Sequence, residues 1–267
     1  MKKVIDGLVL REMCWGENDR RILILTAEQG KLWLVAKGAR SMKSRTAPLC
    51  RLFSYVNIEY YERGGMCWLS GGSLNRSFFG TRTDIEGFSL GSYILQVADE
   101  ISGEELPAQD VLRMTLNTLY AIESKLKPYA QIKAAYELFA VNISGLAPDP
   151  TACADCGCES FEGEIWLDVM NGAIVCGDCL KKRSGGLPLP DTDIYEARNI
   201  LVPLDAASLE AIRYVMSAPP QRLFAFGLSD KRSLELFARA AETYLLNHLE
   251  RDFDTLRFYN SIKDTDQ

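Results

Sequence analysis

The chain has 267 residues, of which 47% are hydrophobic and 25% are charged, and its formal net charge is −6. These proportions are those of an ordinary globular protein, and no apolar run approaches the about 20 residues that a membrane-spanning helix needs. The negative net charge also argues against indiscriminate binding to nucleic acid.

The amino-terminal part of the chain predicts five short β-strands, rich in β-branched and aromatic residues and separated by Gly or charged turns. Five such strands suit a small closed barrel, and the OB-fold is the five-stranded barrel that binds single-stranded nucleic acid. Aromatic residues in these strands would stack on bases if they faced outward, but in small barrels they more often form the core. The predicted strands are 4–10, 21–26, 31–36, 52–61 and 66–70, and the aromatic residues are Trp33, Phe53, Tyr55, Tyr60 and Tyr61.

Positive charge is concentrated in this amino-terminal part. Residues 1–63 hold twelve Lys or Arg against seven Asp or Glu, a net charge of +5. The predicted connection after the third strand, residues 37–51, contains five basic residues and no acidic one. Such asymmetry indicates an anionic partner, although a short basic run is equally compatible with a solvated loop. The five residues are Lys37, Arg40, Lys43, Arg45 and Arg51.

From about Asp84 onward the apolar residues recur at helical spacing. Asp84 is a plausible N-cap and Gly103 a plausible end for the first helix. Further helices are predicted over residues 109–125, after Pro128 to about residue 143, and over 191–201, 205–217, 230–250 and 255–262.

Four cysteines in two Cys-x-x-Cys pairs interrupt the helical pattern. Cys153 and Cys156 form the first pair, and Cys176 and Cys179 follow after nineteen intervening residues. This spacing is typical of a structural zinc site, with four thiolates arranged as a tetrahedron. A closed set of four sulfurs leaves no position for water, so the expected role is folding. The sequence therefore predicts one structural zinc ion.

Other interpretations of the cysteines are possible. A redox pair or two disulfides would use the same residues, but Met1-Lys-Lys leads into an apolar stretch broken by Asp6, so we expect no signal peptide. A cytoplasmic chain keeps its thiols reduced. Cys158 follows Cys156 closely enough that either sulfur would serve as the ligand, and symmetry of the two pairs favours Cys156.

Catalytic motifs are missing from the sequence. His248 is the only histidine and lies within a predicted helix. No Ser-His-Asp, H-E-x-x-H or P-loop pattern is present, so the chain is predicted not to be an enzyme. A zinc enzyme would require that Cys158 displace another ligand and open a coordination position.

Several segments resemble the bacterial RecO family of DNA repair and recombination mediators. Residues 30–44, GKLWLVAKGARSMKS, resemble the family's G-[KR]-x₃-VAKGARS-x-KS signature. Phe53 with residues 74–78 resembles the closing strands of its barrel, residues 136–145 resemble the helix before its cysteine module, and residues 244–257 resemble its carboxy-terminal helix. The resemblance covers essentially the whole chain.

The resemblance implies an α+β protein with an OB-fold barrel over residues 1–80, a helical domain over 81–150 and 183–267, and an inserted zinc module over 151–182. It implies binding to single- and double-stranded DNA, annealing of complementary strands, and loading of RecA together with RecR. It also implies contact with the carboxy-terminal tail of single-stranded-DNA-binding protein. The resemblance does not place the pocket for this tail, and an apolar groove on the helical part flanked by Lys125, Lys127 or Lys133 is our hypothesis for it. The basic residues of 37–51 would contact phosphates. A protein of this kind would be cytoplasmic and nucleoid-associated, with no membrane partner. The alternative is a zinc-stapled protein-interaction scaffold without direct DNA binding.

Overall fold

The computed structural model describes residues 2–41, 43–78, 80, 84–183, 185, 194–196 and 199–265. Two compact units make up the chain: a first unit of Met1–Lys125 and Phe253–Gln267, and a second unit of Leu126–Asp252. The boundaries of these two units differ from those of the three domains expected from the sequence. The bounds of the three domains stay a prediction.

The first unit contains the predicted five-stranded barrel. Its strands close in the order β1-β2-β3-β5-β4, the arrangement of an OB-fold barrel, which confirms the fold predicted for this part of the chain. Three helices belong to the same unit, and the predicted N-cap Asp84 accepts hydrogen bonds from the backbone N–H groups of Glu86 and Gly87. The elements are β1 Lys2–Trp15, β2 Asp19–Thr26, β3 Gly30–Ala36, β4 Ser54–Arg63, β5 Met66–Ser77, α1 Ile85–Ile101, α2 Gln109–Glu123 and α7 Asp254–Thr265.

Alternation of side chains along the strands separates a barrel interior from a barrel exterior. On β4, Val56, Ile58 and Tyr60 are buried in the interior cluster. On β1 the pairing with β2 shifts by one residue between Val9 and Arg11. Because a β-bulge reverses the side to which later residues point, the end of β1 presents to the exterior residues that strict alternation would place inside.

Helix α1 is attached to the barrel by a buried carboxylate. Asp99, whose side chain is 6% exposed, forms ion pairs with Arg11 of β1 and with Lys31 of β3, the latter at 3.1 Å. Leu23 and Leu25 of β2 lie in an apolar cluster with residues of α1 and α2. The outer face of β2 is thus partly covered by these helices.

Gly30, at the start of β3, lies so close to the backbone of residues 103–106 that a side chain would not fit between them. Its φ is +62°, and a Cβ atom would lie 2.3 Å from the carbonyl oxygens of both Gly103 and Leu106. We expect Gly30→Ala to lower the free energy of unfolding by at least about 2 kcal/mol, because backbone atoms cannot rotate away.

The matched control is Gly16→Ala, where φ is +61° and no atom lies within 4 Å of the new Cβ. That change should cost only the about 1 kcal/mol of a left-handed residue. Urea denaturation of both variants measures the difference. Equal losses would show that the contact with residues 103–106 does not matter.

The second unit combines helices with a five-stranded sheet in the order β6-β8-β7-β10-β9. Helix α3 packs on α6 and α5, and its residues Lys133 and Glu137 are buried as an ion pair at 2.8 Å. The elements are α3 Tyr129–Ile143, β6 Asp149–Cys153, β7 Ile165–Asp168, β8 Ala173–Cys176, α4 Gly177–Arg183, β9 Ile194–Glu196, β10 Asn199–Leu204, α5 Ala206–Ser217 and α6 Lys231–Leu249.

The helix predicted over residues 191–201 is wrong. Strand β9 and the start of β10 occupy residues 194–196 and 199–201, and residues 191–193, 197 and 198 lie outside the described part of the chain. A short apolar run such as Ile200–Val202 fits either a helix or a strand, and here pairing with β7 decides, with Leu201 opposite Asp168 and Val202 opposite Leu167. The other predicted helices are confirmed, with small changes at their ends.

Candidate metal centre and nucleic-acid interface

The sheet of the second unit brings the two cysteine pairs together. Cys153 ends β6 and Cys176 ends β8, and these strands pair in parallel with Cys153 opposite Ile174. The sulfurs of Cys153, Cys156, Cys176 and Cys179 all lie within 4.8 Å of one another, and those of Cys156 and Cys176 are 3.8 Å apart. Four sulfurs about 2.3 Å from a tetrahedral zinc ion lie about 3.8 Å apart. The donor set therefore fits a metal ion.

The backbone around the first pair is shaped by a tight turn. Gly157 has a φ of +72° and donates its N–H to the carbonyl of Cys153 at 2.8 Å. The N–H of Cys176 points at the sulfur of Cys153, with a separation of 3.4 Å. Arg183 at the end of α4 donates to Asp155 between the first two cysteines at 2.8 Å. Hydrogen bonds and an ion pair thus join the two halves of the site.

These contacts change the acidity of the thiols. Burial alone would raise the pKa of Cys153, but N–H donation from the backbone of Cys176, Cys156 and Asp155 lowers its pKa to about 6. The pKa of Cys156 is lowered, chiefly by the backbone N–H of Cys158. A hydrogen bond with Cys176, together with burial, raises the pKa of Cys179. The site therefore favours thiolate at the first pair, as a metal ligand requires.

Cys158 lies beside the four-sulfur group. Its carbonyl accepts from the N–H of Cys153 at 2.8 Å, and a hydrogen bond with Cys156 raises its own pKa to about 12. The second pair stands between β8 and α4, an arrangement that a redox pair also has. The sulfurs of Cys153 and Cys156 lie beside those of Cys176 and Cys179. An isolated redox pair would lack this second pair of sulfurs, so the arrangement favours a metal centre.

The basic residues predicted to contact DNA lie in the connection between β3 and β4 of the first unit. We call residues 37–51 the cationic loop. It is anchored by Ala39, Leu49 and Cys50, which are buried in the barrel interior. All five basic side chains are exposed, and none of them forms an ion pair within the described residues. They are Lys37, Arg40, Lys43, Arg45 and Arg51.

Arg40 differs from the other four because it holds a neighbouring turn. Its guanidinium donates to the carbonyls of Gly16 and Glu17 at 3.2 and 2.8 Å, and its backbone N–H donates to the carbonyl of Asn18 at 3.0 Å. These bonds fix the cationic loop against the turn between β1 and β2. Two of the five N–H donors of Arg40 are thus engaged, and the others remain for a phosphate.

Sequence reasoning did not single out Arg21, Trp15 and Trp68 of the barrel. Arg21 lies over the rings of Trp15 and Trp33, and Lys37 lies over the ring of Trp68. Trp15 was missed because β1 was predicted to end at residue 10. Trp68 lay in a predicted strand, and alternation with the apolar Cys67 and Leu69 was the signal that would have placed it outside.

Within the described residues, no helix is both long and apolar enough to cross a membrane.

The fold and the two sites define an OB-fold protein that carries a separate helical unit with a four-cysteine centre. The chain belongs to the recombination protein O family: the family's amino-terminal domain model matches residues 1–78, and its carboxy-terminal domain model matches residues 82–257. The family resemblance noted in the sequence is thereby confirmed.

Two curated relatives match nearly the full length of the chain, and a third matches about 70% of it. The chain is 24% identical over 256 residues to the DNA repair protein RecO of Acetivibrio thermocellus, covering 96% of this chain and 95% of the relative. It is 29% identical over 267 residues to DNA repair protein RecO of Anaeromyxobacter dehalogenans strain 2CP-C, covering 97% and 96%. Identity to the protein of the same name from Listeria welshimeri is 26% over 186 residues, covering 70% and 72%.

Proposed function

We propose that this protein is a non-enzymatic mediator of DNA repair and homologous recombination that binds DNA and anneals complementary single strands. The observation that carries the proposal is the cationic loop on a barrel of the OB type, whose five exposed basic side chains have no carboxylate partner among the described residues. Its membership in a family whose relatives are named DNA repair proteins supports the same conclusion.

Annealing requires two polyanionic strands to approach each other. Exposed Lys and Arg side chains lower that repulsion by displacing counterions, and they do so without reading sequence. We infer that Lys37, Arg40, Lys43, Arg45 and Arg51 contact phosphates of single- and double-stranded DNA. The remainder of the chain, residues 64–267, holds 18 Lys or Arg against 29 Asp or Glu, and this excess of negative charge opposes broad binding of nucleic acid outside the amino-terminal part.

The metal proposed for the cysteine centre is one zinc ion with a structural role. Four sulfurs fill a tetrahedral shell, so Cys153, Cys156, Cys176 and Cys179 would hold the ion without an open position for water. When bound, zinc would supply a cross-link between β6, β8 and α4. The surrounding hydrogen bonds already orient Cys153 and Cys176 for this task.

A catalytic role for the only histidine finds no support in its surroundings. The Nε2 of His248 lies 2.7 Å from the carbonyl oxygen of Val169, and its ring stacks on Tyr244 with centroids 4.0 Å apart. Both contacts belong to the packing of α6. They support the inference that the protein acts by binding and not by catalysis.

Partner proteins are part of the proposal. We infer that the protein binds the carboxy-terminal tail of single-stranded-DNA-binding protein and, with RecR, helps load RecA onto strands coated with that protein. Lys133, suggested from the sequence as a flank of the tail-binding groove, is unsuitable because its side chain is 4% exposed and pairs with Glu137 and Glu242. Lys127 and Lys125 remain as expected positions. A mediator of this kind works in the cytoplasm, associated with the nucleoid.

Annealing of coated strands tests the proposal. Two complementary oligonucleotides, one carrying a donor dye and one an acceptor, are each coated with the cognate single-stranded-DNA-binding protein and then mixed. We expect this protein to accelerate annealing at least about tenfold at low salt and less at higher salt, because phosphate contacts weaken with ionic strength. Coating with a binding protein that lacks its carboxy-terminal tail is the matched control, and acceleration should fall.

The alternative is a zinc-stapled scaffold that binds proteins without touching DNA. It predicts no acceleration and no binding to bare strands, while the tail of single-stranded-DNA-binding protein is still retained. That combination of results would replace the mediator proposal.

A further inference from the structure

A row of paired residues crosses the outside of the barrel on four adjacent strands. Arg21 of β2 lies opposite Val35 of β3, Val35 lies opposite Trp68 of β5, and Trp68 lies opposite Tyr61 of β4. We call Arg21, Val35, Trp68 and Tyr61 the outer row. Its members alternate along their strands with interior residues such as Leu34, so they face away from the barrel core.

Two further tryptophans flank this row. Trp33 lies two residues before Val35 on β3 and therefore on the same side of the strand. Trp15 reaches the exterior because of the bulge between Val9 and Arg11, and it is 40% exposed. Three of the four tryptophans of the chain thus gather on one outer surface. The fourth, Trp166, is buried in the second unit.

Positive charge is held directly against these rings. The guanidinium carbon of Arg21 lies 5.1 Å from the ring centre of Trp15 and 4.4 Å from that of Trp33. The Nζ of Lys37 lies 4.7 Å from the ring centre of Trp68. Neither cation forms an ion pair within the described residues. Flat groups and unneutralised charge therefore alternate over the surface.

Core packing does not account for Trp15 and Trp68. Phe53 and Tyr60, which belong to the apolar clusters of the first unit, are fully covered at 0% and 1% exposure, and Val35 of the outer row is buried as well. Trp33 packs partly against the apolar cluster beside α1 and α2. The rings of Trp15 and Trp68 remain partly exposed, and each has a cation over one face. A complementary ligand has to offer flat faces and negative charge in alternation. Unpaired nucleotides have both, since each base has a stacking face and each link carries a phosphate.

We propose that the outer row, with Trp15, Trp33 and Lys37, is a stacking surface for the unpaired bases of single-stranded DNA. Trp68, Trp15 and the guanidinium plane of Arg21 stack on bases, and Lys37 meets an adjoining phosphate. The inference rests on the proposed DNA binding and narrows it: the cationic loop attracts any strand, whereas the rings discriminate in favour of single strands. Duplex bases are already stacked on each other and cannot use this surface.

Leucine substitutions at Trp15 and Trp68 test the proposal. Trp15→Leu and Trp68→Leu are each expected to weaken binding of a fluorescein-labelled oligothymidine about tenfold, the size of one stacking contact. Affinity for a duplex of the same length should change less than about twofold, and the salt dependence should stay the same, because no charge is removed. Trp68→Phe should retain most of the affinity, since a smaller ring still stacks.

The matched control is Phe258→Leu on α7, which changes a 49% exposed ring in the same unit and should leave both affinities unchanged. Thermal unfolding establishes that each variant is folded. In the wild-type protein, saturation with oligothymidine should also quench tryptophan emission.

The outcomes separate the two proposals. The stacking surface is overturned if the folded leucine variants bind single strands like the wild type and if oligothymidine does not quench the tryptophan emission of the wild-type protein. In that case the DNA-binding function still stands if charge reversal in the cationic loop abolishes binding. Equal loss of single-strand and duplex binding also overturns the stacking surface, because Trp68 would then serve only to position Lys37. If the wild-type protein binds neither single-stranded nor duplex DNA, both the stacking surface and the proposed DNA-binding function are overturned.

Discussion

Replacing Cys176 by serine is expected to abolish metal binding and to unfold the cysteine-bearing sheet of the second unit. Cys176 ends β8, its sulfur lies 3.8 Å from that of Cys156, and its backbone N–H contacts the sulfur of Cys153. Structural zinc contributes about 10–16 kcal/mol in zinc-finger peptides. That free energy is comparable with the whole stability of a typical domain, and serine is a poor ligand for zinc.

Metal content by mass spectrometry and limited proteolysis measure this effect. The wild-type protein should carry one zinc per chain, and the variant close to none, with rapid cleavage between β6 and β10. Helices α3 and α6 pack directly on each other and should resist longer. Proteolysis thus distinguishes loss of the sheet from loss of the whole unit.

Two cysteine variants serve as controls for Cys176→Ser. Cys14→Ser, on the exposed end of β1 in the first unit, should keep both metal and stability. Cys158→Ser should do the same, because Cys158 lies outside the four-sulfur group. Full metal content in Cys176→Ser would refute the ligand set, and metal loss in Cys158→Ser would place that residue among the ligands.

Reversing two charges of the cationic loop is expected to weaken DNA binding by about 100-fold at low salt. Lys43→Glu with Arg45→Glu removes two phosphate contacts and adds two repulsive charges, while both side chains are exposed and without ion pairs in the described structure. For single strands, five contacts give a slope of about −3.5 in a plot of log affinity against log salt. The double variant should lower this to about −2.1.

The choice of residues follows from the geometry of the loop. Arg40 is left unchanged because its bonds to Gly16 and Glu17 hold the turn between β1 and β2, and its loss would confuse folding with binding. Lys37 is left unchanged because it lies over Trp68. The control with the same change of charge is Arg257→Glu with Lys231→Glu, both highly exposed and paired with carboxylates. If that control weakens binding as strongly, the effect is one of net charge and the loop has no special role.

The sequence predicted those features that depend on local pattern. The barrel strands were recognisable because β-branched and aromatic residues alternate between turn residues, and the cysteine centre because paired Cys-x-x-Cys turns need only meet to complete a tetrahedron. Both predictions depend little on distant parts of the chain. The helices that begin at Asp84 and after Pro128 were likewise found from their caps and spacing.

Features set by long-range pairing could not be predicted in this way. The run Ile200–Val202 is a strand because β7 lies beside it, and nothing within the run itself requires that. Trp15 faces outward only because of the bulge at Val9 and Arg11, which no local signal announced. The bonds from Arg40 to Gly16 and Glu17 join the cationic loop to the turn between β1 and β2, which is distant in the sequence. A basic residue that was predicted only to contact phosphate therefore also holds this turn.

The return of the chain to its first unit has a consequence for biosynthesis. Helix α7 completes the unit that the barrel begins: Phe253 just before it packs edge-on against Tyr93 of α1, and Thr255 bonds to Gln96. On the ribosome, residues 126–252 emerge before α7, so the second unit has all of its residues before the first does. Helix α1 therefore lacks its contacts with α7 until residues 253–265 have been synthesised, so this face of the first unit is the part that is covered late.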